Sequence, residues 1–398
     1  MRDANGGAPT DVPAGMIFLG QFVDHDITLD VISQLGEFRD PASIRNVRTP
    51  RLDLDSVYLS GPEGSPFLYA SDGRLLTDQR TDFRRVANGT ADVALIGDPR
   101  NDENGLIAQL HLLFLRFHNR MLAVHDGDFE EAQKLVRWHY QWIVRNEFLP
   151  AIVDDDAIQW AEAMAADDWH RGPGVWNWLC GDYRVPDMPV EFAAAAYRFG
   201  HSQVLDRYQF DNRAVELFAP PPAPDSLSSF GKVPSANVVT DWSWFFDVNG
   251  MAPNRAAAID TKIAGEVFEL PFAPIGSDER ILPLRNLIRG DLTFALPTGE
   301  AAADYLGVPR LPENCGPIVT ARAAGLDETP LWFYVLAEAE QNHGVMTGVG
   351  GRIVALTLIR MLQRDPDSYR NAATPWHPIH GTNSDFTMAD LVRFTQQP

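Results

Sequence analysis

The chain has 398 residues, of which 45% are hydrophobic, so it can bury a large core and is not disordered by composition. Its formal net charge of -21, from 33 basic against 54 acidic residues, argues against a nucleic-acid partner, because such partners need clustered lysines and arginines. No Ser/Gly linker, charge block or internal repeat divides the sequence, so we expect a single domain over residues 1–398.

Neither membrane insertion nor export is indicated by the sequence. The apolar stretch from Met16 to Val23 ends at Asp24-His25-Asp26 and is too short to span a bilayer, so we expect no transmembrane segment. Residues 1–15 contain no apolar run typical of a secretory signal, and the sequence does not assign a cellular location, so secreted and cytoplasmic locations both stay open. The two cysteines, Cys180 and Cys315, are too few for a disulfide scaffold or a thiolate cluster, and we expect buried thiols.

Apolar periodicity predicts helices that are bounded by Pro, Gly or Asx residues. They cover residues 16–27, 103–124, 129–149, 188–204 and 333–362. Turn-rich stretches, such as Gly61 to Gly73 and Pro220-Pro221-Pro222, are predicted to be surface loops between helical segments. The predicted class is mainly α.

The first predicted helix carries a histidine between two carboxylates. At about 100° per residue, Gln21, Asp24 and His25 share one face of this helix, whereas Asp26 is rotated well away from Gln21. One helix is therefore predicted to serve two sites. Taken alone, His25 is more often a buried histidine that is hydrogen-bonded to a neighbour.

An oxygen-rich loop follows the first helix. In an extended backbone Thr49, Arg51, Asp53 and Asp55 would lie on one side, because side chains alternate with period two. Such hard oxygen ligands suit calcium, and Asp26 with the main-chain carbonyls of Thr49 and Arg51 would complete its shell. By spacing alone, Asp-x-Asp in a loop is usually solvated turn chemistry.

The segment from Gly97 to Glu103 is typical of a helix start. Asp98 is predicted to be the N-cap and Pro99 the first helical residue, which makes Arg100 and Glu103 neighbours at i,i+3. Without further context this pair is ordinarily a weak surface ion pair.

The next predicted helix carries His111 and His118 on one face. A metal site built on them would lack a third ligand, so we interpret both as packing or hydrogen-bonding residues.

A further histidine lies in the apolar stretch Ala196-Tyr197-Arg198-Phe199-Gly200-His201. Gly200 has no side chain and would let a flat macrocycle approach His201. Taken alone, His201 is again more often a satisfied core histidine.

Together these segments resemble the animal-type haem peroxidases of the peroxidase-cyclooxygenase superfamily, in particular bacterial-type members. The resemblance runs from about residue 15 to about residue 362 and includes all four segments. It implies a single helical domain that holds haem b between a distal and a proximal helix, with a bound calcium ion. Fewer residues precede the distal helix than family members usually have, so we expect that an N-terminal segment is lacking.

On the distal side, the resemblance implies that His25 is the acid/base group and that Arg100 polarises the peroxide. Gln21 would line the distal pocket. Asp24 and Glu103 match the carboxylates that form ester links to haem in this family.

On the proximal side, the resemblance makes His201 the iron ligand, while Arg198 and Arg289 would bind the haem propionates. Asn286 matches the asparagine that accepts the proximal hydrogen bond, which a metal-bound histidine needs. Because an amide is a weak acceptor, His201 should remain a neutral imidazole. The implied calcium ligands are Asp26, Thr49, Arg51, Asp53 and Asp55.

The implied activity is that of an oxidoreductase that reduces hydrogen peroxide and oxidises halide, thiocyanate or phenolic donors through an oxoferryl intermediate. Asn104 follows Glu103, where mammalian phagocyte members have a methionine that forms a sulfonium link to haem. Without that link, oxidation of bromide, iodide, thiocyanate or phenols is expected ahead of chloride. Thr28 stands where some members have an acidic residue near the haem, which would alter haem binding.

Two other functions remain open. A fatty-acid dioxygenase of the cyclooxygenase kind needs a tyrosine three residues before the proximal histidine, where this sequence has Arg198. A haem-free adhesion or interaction module would not need His25, Arg100 and His201 together.

Overall fold

Helices make up most of the regular structure in the part of the chain that the computed structural model describes, which confirms the mainly α class. The described residues are 1–3, 6–31, 33–40, 43–78, 82–89, 91–166, 188–211, 213–218, 227–228, 241–271 and 273–396. The α-helices are α1 (Gly15–Ile27), α2 (Asp55–Tyr58), α3 (Gly61–Gly64), α4 (Gly105–Val124), α5 (Phe129–Ile143), α6 (Leu149–Ile152), α7 (Asp155–Ala166), α8 (Val190–Ala194), α9 (Gly200–Gln203), α10 (Leu282–Ile288), α11 (Gly299–Leu306), α12 (Gly316–Ala323), α13 (Leu331–Gln341), α14 (Gly348–Arg364) and α15 (Met388–Gln396).

Shorter helical segments link these elements. The 3₁₀ segments are Pro66–Leu68, Pro99–Asp102, Ala196–Phe199, Trp242–Trp244, Gly265–Phe268, Asp278–Arg280 and Tyr369–Asn371. The π-helical segments Val144–Phe148 and Arg289–Thr293 follow α5 and α10 directly.

The strands form two-stranded pairs. Antiparallel pairs join β2 (Pro9–Pro13) to β7 (Arg255–Ala257), β3 (Arg85–Asn88) to β4 (Ala91–Ala94), and β5 (Arg207–Phe210) to β6 (Arg213–Glu216). A parallel pair joins β1 (Arg2–Asp3) to β8 (Ile263–Ala264), with Arg2 opposite Ile263. These pairs are too small to form a core of their own.

The N-terminal predicted helices agree with the structure. The helix predicted over 16–27 is α1, and the helix predicted over 103–124 is α4, which begins at Gly105. The helix predicted over 129–149 is α5 with its π-helical extension.

The later helix predictions were too continuous. The stretch 188–204 is broken because Ala195 leaves the helical region, at φ -133° and ψ -74°, between α8 and the segment Ala196–Phe199. The stretch 333–362 is divided between α13 and α14 by a turn in which Gly344 has φ +82°. Periodicity detects which residues are apolar and cannot detect these local turns.

Two of the predicted features lie outside the described residues, namely Cys180 and the Pro220–Pro222 loop. Cys315 is buried, as expected. The stretch from Gly61 to Gly73 is not entirely loop, because it contains α3 and the 3₁₀ segment Pro66–Leu68. In the described ranges, every helix is too short or too polar to cross a membrane.

Helix α4 lies in the core and packs against α1, α5 and α15. The contact between α1 and α4 includes the rings of Phe22 and Phe114, which stack with centroids 4.6 Å apart. His111 and His118 of α4 are buried and hydrogen-bonded, to Asn101 at 2.9 Å and to Tyr58 at 3.1 Å. Because α4 is held on several sides, it supports α1 rigidly.

The start of α1 is fixed by close backbone packing. The Gly15 amide donates to the Phe245 carbonyl at 3.0 Å, and a Cβ at Gly15 would lie 2.4 Å from the Phe246 ring. Only glycine fits this position without a shift of the neighbouring aromatic ring. The contact sets where the functional face of α1 lies.

Candidate active site

A cavity of about 1090 Å³ is lined by residues of α1 and of the segment that contains His201. Its lining includes every residue that the sequence assigns to the distal and proximal sides: Gln21, Asp24, His25, Arg100, Glu103, Arg198, His201, Asn286 and Arg289. Asp26 is absent from this lining and is buried on another side of α1. One face of α1 thus lines the cavity, and the other face, with Asp26, is buried elsewhere.

His25 is held by a neighbour from the 3₁₀ segment. Its Nδ1 lies 2.7 Å from Oδ1 of Asn101, and both side chains are buried. Burial, with the nearby charge of Arg100, lowers the pKa of His25 to about 4. At neutral pH the ring is therefore uncharged and can accept a proton.

Arg100 is anchored by Asp98. Its Nε and Nη2 atoms donate to the Asp98 carboxylate at 3.0 and 2.7 Å, and Nη2 also donates to the carbonyls of His25 and Thr28. Arg48 donates to the same carboxylate, with Nε 3.0 Å from Oδ2. These bonds use Nε and Nη2 of Arg100, whose side chain lines the cavity.

Asp98 has a larger role than the predicted N-cap. It does accept the Arg100 backbone amide at 2.9 Å, as an N-cap does. Burial by itself raises the pKa of Asp98, but the hydrogen bond and charge of Arg100 outweigh burial and lower it to about 2. The carboxylate stays ionised and holds Arg100 in place.

Glu103 turns to Gln21 while Arg100 turns to Asp98. Gln21 donates to the Glu103 carboxylate, and Asn104 donates to Oε1 of Gln21 at 3.3 Å. Burial raises the pKa of Glu103 to about 7 against the charge of Arg100. Arg100 and Glu103 therefore do not form the surface ion pair that their spacing alone suggests.

Asp24 lines the cavity one turn before Thr28. The Thr28 hydroxyl donates to Oδ1 of Asp24 and to its carbonyl, each at 2.9 Å. The threonine thus orients the carboxylate that precedes His25.

His201 lies in the short helix α9, and its Nδ1 is 2.8 Å from Nδ2 of Asn286. Asn286 is buried in α10. Burial, followed by the charges of Arg198 and Arg289, lowers the pKa of His201 to about 3. The imidazole is neutral, and a Cβ at Gly200 beside it would meet no atom within 4 Å.

Three arginines share the proximal wall of the cavity: Arg198, Arg285 and Arg289. The charge of Arg198, then burial and the charge of Arg285, lower the pKa of Arg289 to about 9. Nε of Arg198 is buried without a hydrogen-bond partner in the described structure. These like charges call for an anionic ligand in the cavity.

An acidic cluster, consisting of Asp26, Asp53 and Asp55, occupies the other face of α1. One oxygen from each carboxylate lies within 4.8 Å of the other two. Burial, followed by the charge of Asp55, raises the pKa of Asp53 to about 7, and burial with the charges of Asp53 and Asp55 raises the pKa of Asp26 well above its usual range. A bound cation would remove this repulsion.

The loop around the acidic cluster is not extended, so that prediction was wrong. Bends run through residues 50–53, the Arg51 amide bonds the Thr49 carbonyl at 2.7 Å, and Leu54 has φ +59°. The turn brings the carboxylates together because Leu54 donates to Asp26 at 3.2 Å.

Thr49 and Arg51, the other residues assigned to this site, flank the turn. The Thr49 amide donates to Oδ2 of Asp55 at 3.1 Å. The Arg51 side chain points to Asp365, with 3.5 Å between Nη1 and Oδ1. The guanidinium of Arg51 is therefore directed to a carboxylate outside the acidic cluster.

Comparison with known proteins identifies the family. The animal haem peroxidase family model matches residues 31–269, which is more than half of the chain. The chain belongs to the animal haem peroxidase family. The matched region contains Arg100 and His201 and begins after α1, which carries His25.

The chain matches curated members of this family only in part. It is 29% identical to chorion peroxidase of Drosophila melanogaster over 182 residues, which cover 40% of this chain and 21% of that protein. It is 30% identical to human thyroid peroxidase over 120 residues, which cover 28% of this chain and 12% of that protein. Membership suggests an oxidoreductase that binds haem.

Solved structures share the fold of this peroxidase-family chain. Peroxidase A from Dictyostelium discoideum superimposes with a TM-score of 0.62 at 17% identity, covering 93% of this chain and 82% of that chain. The fatty acid alpha-dioxygenase of Oryza sativa has a TM-score of 0.62 at 15% identity, covering 99% of this chain and 74% of that chain. At these identities the likeness is one of fold.

The residues of this family member fit a haem group. Arg198, Arg285 and Arg289 form a cationic wall that suits two carboxylates, and Nε of Arg198 is buried without a partner. A neutral histidine lies beside them, and Gly200 leaves open space next to it. An imidazole ligand, a cationic wall and a large cavity are the features that a flat iron porphyrin with two propionates requires.

Sequence reasoning missed three residues of the site. Arg285 was visible in the segment that contains Asn286, but no role was assigned to it. Asp98 was assigned only a capping role, although it binds both Arg48 and Arg100. Asn101, the partner of His25, carried no signal, because its contact joins residues that are 76 positions apart.

Proposed function

We propose that this protein is a haem-dependent peroxidase that reduces hydrogen peroxide and oxidises small donors such as halides, thiocyanate or phenols. The observation that carries the proposal is a pair of histidines, the buried His25 and the half-buried His201, that line one cavity. Each has its Nδ1 engaged by an asparagine side chain, Asn101 or Asn286. In both rings Nε2 is then the nitrogen that can act on a ligand in the cavity.

His201 would hold the haem iron through Nε2. Nδ1 would then carry the proton, and the Asn286 amide would present its oxygen to Nδ1 after a half-turn. Arg198 and Arg289, with Arg285 beside them, would bind the propionates. Their mutual repulsion supports this role, because anions would relieve it.

Bound haem would supply the redox chemistry of peroxide reduction. His25 would accept a proton from the peroxide at Nε2 and deliver it to the leaving oxygen, which departs as water. Arg100 would stabilise the negative charge that develops on the leaving oxygen, because Asp98 holds its guanidinium at the cavity wall. Gln21 would line the distal pocket and orient water or a small anion.

Asp24 and Glu103 are proposed to form the ester links to haem. Both carboxyl groups line the cavity, and each is oriented by a hydrogen bond, from Thr28 or from Gln21. Mass spectrometry of denatured protein would show whether haem remains attached.

We further propose that the acidic cluster binds calcium through Asp26, Asp53 and Asp55, with Thr49 and Arg51 contributing main-chain carbonyls. The proximity of the three carboxylates supports this assignment. Because Asp26 and His25 are neighbours on α1, calcium would also stabilise the helix that carries the acid/base group.

A single haem domain over residues 1–398 is also proposed. The site uses residues from Gln21 to Arg289, and the C-terminal helix α15 packs on α4, which supports α1.

Fatty-acid oxygenation is the second candidate, and Tyr197 is the observation that favours it. Its hydroxyl is buried without a hydrogen-bond partner in the described structure, and its side chain lines the cavity. Tyr197 lies four residues before His201, while Arg198 occupies the position that dioxygenases give to tyrosine. Oxygen uptake with palmitate, lost in Tyr197→Phe, would support this alternative.

The deciding experiment is reconstitution of the full chain with haem and calcium. The visible spectrum is recorded before and after addition of hydrogen peroxide, with and without bromide or guaiacol. His201→Ala should lower haem affinity, whereas His25→Ala should bind haem and react with peroxide about 10²-fold to 10⁴-fold more slowly. His377→Ala is the control, because this histidine is exposed and does not line the cavity.

Failure to take up haem would overturn the enzyme proposal and favour a non-catalytic interaction module. Haem uptake with no reaction with peroxide, but with oxygen uptake on a fatty acid, would favour the dioxygenase.

A further inference from the structure

A buried chain of hydrogen bonds runs from the cavity into the core. Nδ1 of His25 lies 2.7 Å from Oδ1 of Asn101, and Nδ2 of Asn101 lies 2.9 Å from Nδ1 of His111. Asn101 and His111 have no solvent exposure, and His25 is 5% exposed. The three side chains come from α1, from the 3₁₀ segment Pro99–Asp102 and from α4.

The direction of the protons in this chain follows from the amide. An amide oxygen only accepts and an amide nitrogen only donates, so His25 must donate through Nδ1 and His111 must accept through Nδ1. His25 then has its lone pair at Nε2, the remaining nitrogen of a ring that lines the cavity. If the amide were reversed, Nδ1 of His25 would accept and Nε2 would carry the proton.

We propose that His111 is a positioning residue that, through the Asn101 amide, holds neutral His25 as the Nδ1–H tautomer with its Nε2 lone pair available in the cavity. The inference deepens the proposed peroxidase function and rests on it only for the role of His25. His111 itself does not line the cavity.

The surroundings of His111 leave Asn101 as its one hydrogen-bond partner in the described structure. Nε2 of His111 is buried without a partner, and the ring lies among the rings of Phe22 and Phe83, at centroid distances of 6.0 and 5.4 Å. The hydrogen bond of His111 therefore runs through Nδ1, which accepts from Nδ2 of Asn101.

His111 is fixed by the packing of the core. Helix α4 packs on α1 and α5, and Phe22 of α1 also stacks on Phe114 of α4. The acceptor for Asn101 therefore comes from the same packed unit that supports His25. A tautomer set in this way needs no charged partner, whereas a carboxylate at this position would raise the pKa of His25.

The test measures the tautomer of His25 directly. Nitrogen-15 NMR of the histidine-labelled full chain at neutral pH is recorded without haem and in the diamagnetic ferrous carbonyl form, and the His25 signals are assigned with His25→Gln. We expect the Nδ1–H form to dominate in the unmodified protein. In His111→Phe, which removes the acceptor and keeps an aromatic ring, the ratio of Nδ1–H to Nε2–H should fall about fivefold or more.

Two further variants separate positioning from packing. His111→Gln should restore the ratio, because its side-chain oxygen can accept from Asn101. His118→Phe removes a second buried histidine of α4, which bonds Tyr58 and the Gly73 carbonyl, and it should leave the ratio unchanged. In the haem-loaded chain, His111→Phe should slow the reaction with peroxide about tenfold or more at unchanged haem affinity, and His111→Gln should recover it.

A dominant Nε2–H form in the unmodified protein would overturn the inference, and so would an equal ratio in the unmodified protein and His111→Phe. An equal shift in His118→Phe would also overturn it, because loosened packing would then be the cause. The haem-free measurement stands even if the chain takes up no haem, so failure of the proposed function is distinguishable from failure of the inference.

Discussion

Two acidic regions lie next to Arg48, and the pKa values of their carboxyl groups are shifted in opposite directions. Arg48 reaches Asp98 through Nη2 at 2.5 Å and Asp55 through Nη1 at 3.4 Å. The pKa of Asp98 is lowered to about 2, whereas that of Asp53 in the acidic cluster is raised to about 7. Burial raises the pKa in both regions, so the difference comes from the neighbouring charges.

The two regions differ in how far their negative charge is compensated by neighbouring arginines. Asp98 has two arginine partners within the chain, and its charge is already compensated. The acidic cluster places three carboxylates together and has weaker compensation, from Arg48 at Asp55 and from the charge of Arg137 near Asp53. The arginines of the proximal wall resemble the acidic cluster, because they also place like charges together, but their charges are positive. Removal of one charge should therefore destabilise the fold at Asp98, and should stabilise it at the acidic cluster and at the proximal wall.

The largest expected effect is at the compensated site. Asp98→Ala should lower the free energy of unfolding by about 3–5 kcal/mol, because it leaves Arg48 and Arg100 partly buried without their partner. Urea unfolding in the presence of calcium measures the change. Asp304→Ala is the control, because the Asp304–Arg310 ion pair is exposed and its loss should have a much smaller effect. Equal losses in the two variants would contradict the comparison.

At the acidic cluster, removal of a carboxylate should raise the stability of the fold instead of lowering it. Without calcium, Asp53→Asn should be more stable than the unmodified protein, because it removes repulsion. With calcium at about a hundredfold excess over its dissociation constant, the unmodified protein should gain about 2.7 kcal/mol, and Asp53→Asn should gain far less. Thermal melting with calcium and with a chelator measures both effects. A variant less stable than the parent in chelator would show that the cluster is compensated internally.

At the proximal wall, removal of one of the like positive charges should also stabilise the fold. Arg289→Gln should stabilise the haem-free chain, because it relieves repulsion from Arg198. The same change should weaken haem binding about tenfold through loss of a charge-assisted hydrogen bond. Thermal melting and haem titration measure the two effects. Arg74→Gln, at an exposed arginine paired with Asp72, should change neither.

The smallest effect is the pH dependence of the Asp98 contribution. The pKa of Asp98 is about 2 in the folded chain against the ordinary value of 3.8, so its stabilisation is present above pH 3.8 and is lost as pH falls toward 2. The difference in unfolding free energy between the unmodified protein and Asp98→Asn should be constant from pH 5 to 7. It should narrow between about pH 4 and pH 3. A difference that widens in this range would contradict the assigned pKa direction.

Helices with one continuous apolar face were predictable because periodicity is a local property. The pattern around His25 predicted α1, and the long apolar run around His111 predicted α4. The breaks at Ala195 and Gly344 were not predicted, because a backbone turn depends on the surrounding packing. A Cβ at Gly344 would lie 2.7 Å from the Ala258 side chain, a residue that is distant in sequence.

At the site, the sequence predicted which residues share a cavity better than it predicted their partners. His25, Arg100 and His201 were each selected from a short motif, and all three line the cavity. The oxygen-rich loop was expected to converge through an extended backbone, yet it converges through a turn at Leu54. In this turn the Leu54 amide and the Ser56 hydroxyl donate to Asp26, which brings the carboxylates of Asp53 and Asp55 close to that of Asp26.

The sequence by itself determined the helical class and the separation of the two faces of α1, since these depend on residue type and spacing along the chain. The main site residues were chosen through the resemblance of their motifs to a known family. Tertiary structure alone decided that Arg48 binds Asp98, that Arg285 joins Arg198 and Arg289, and that Asn101 links His25 to His111. Such partnerships depend on distances between separate segments. Those distances are set by packing of the core, which local spacing does not encode.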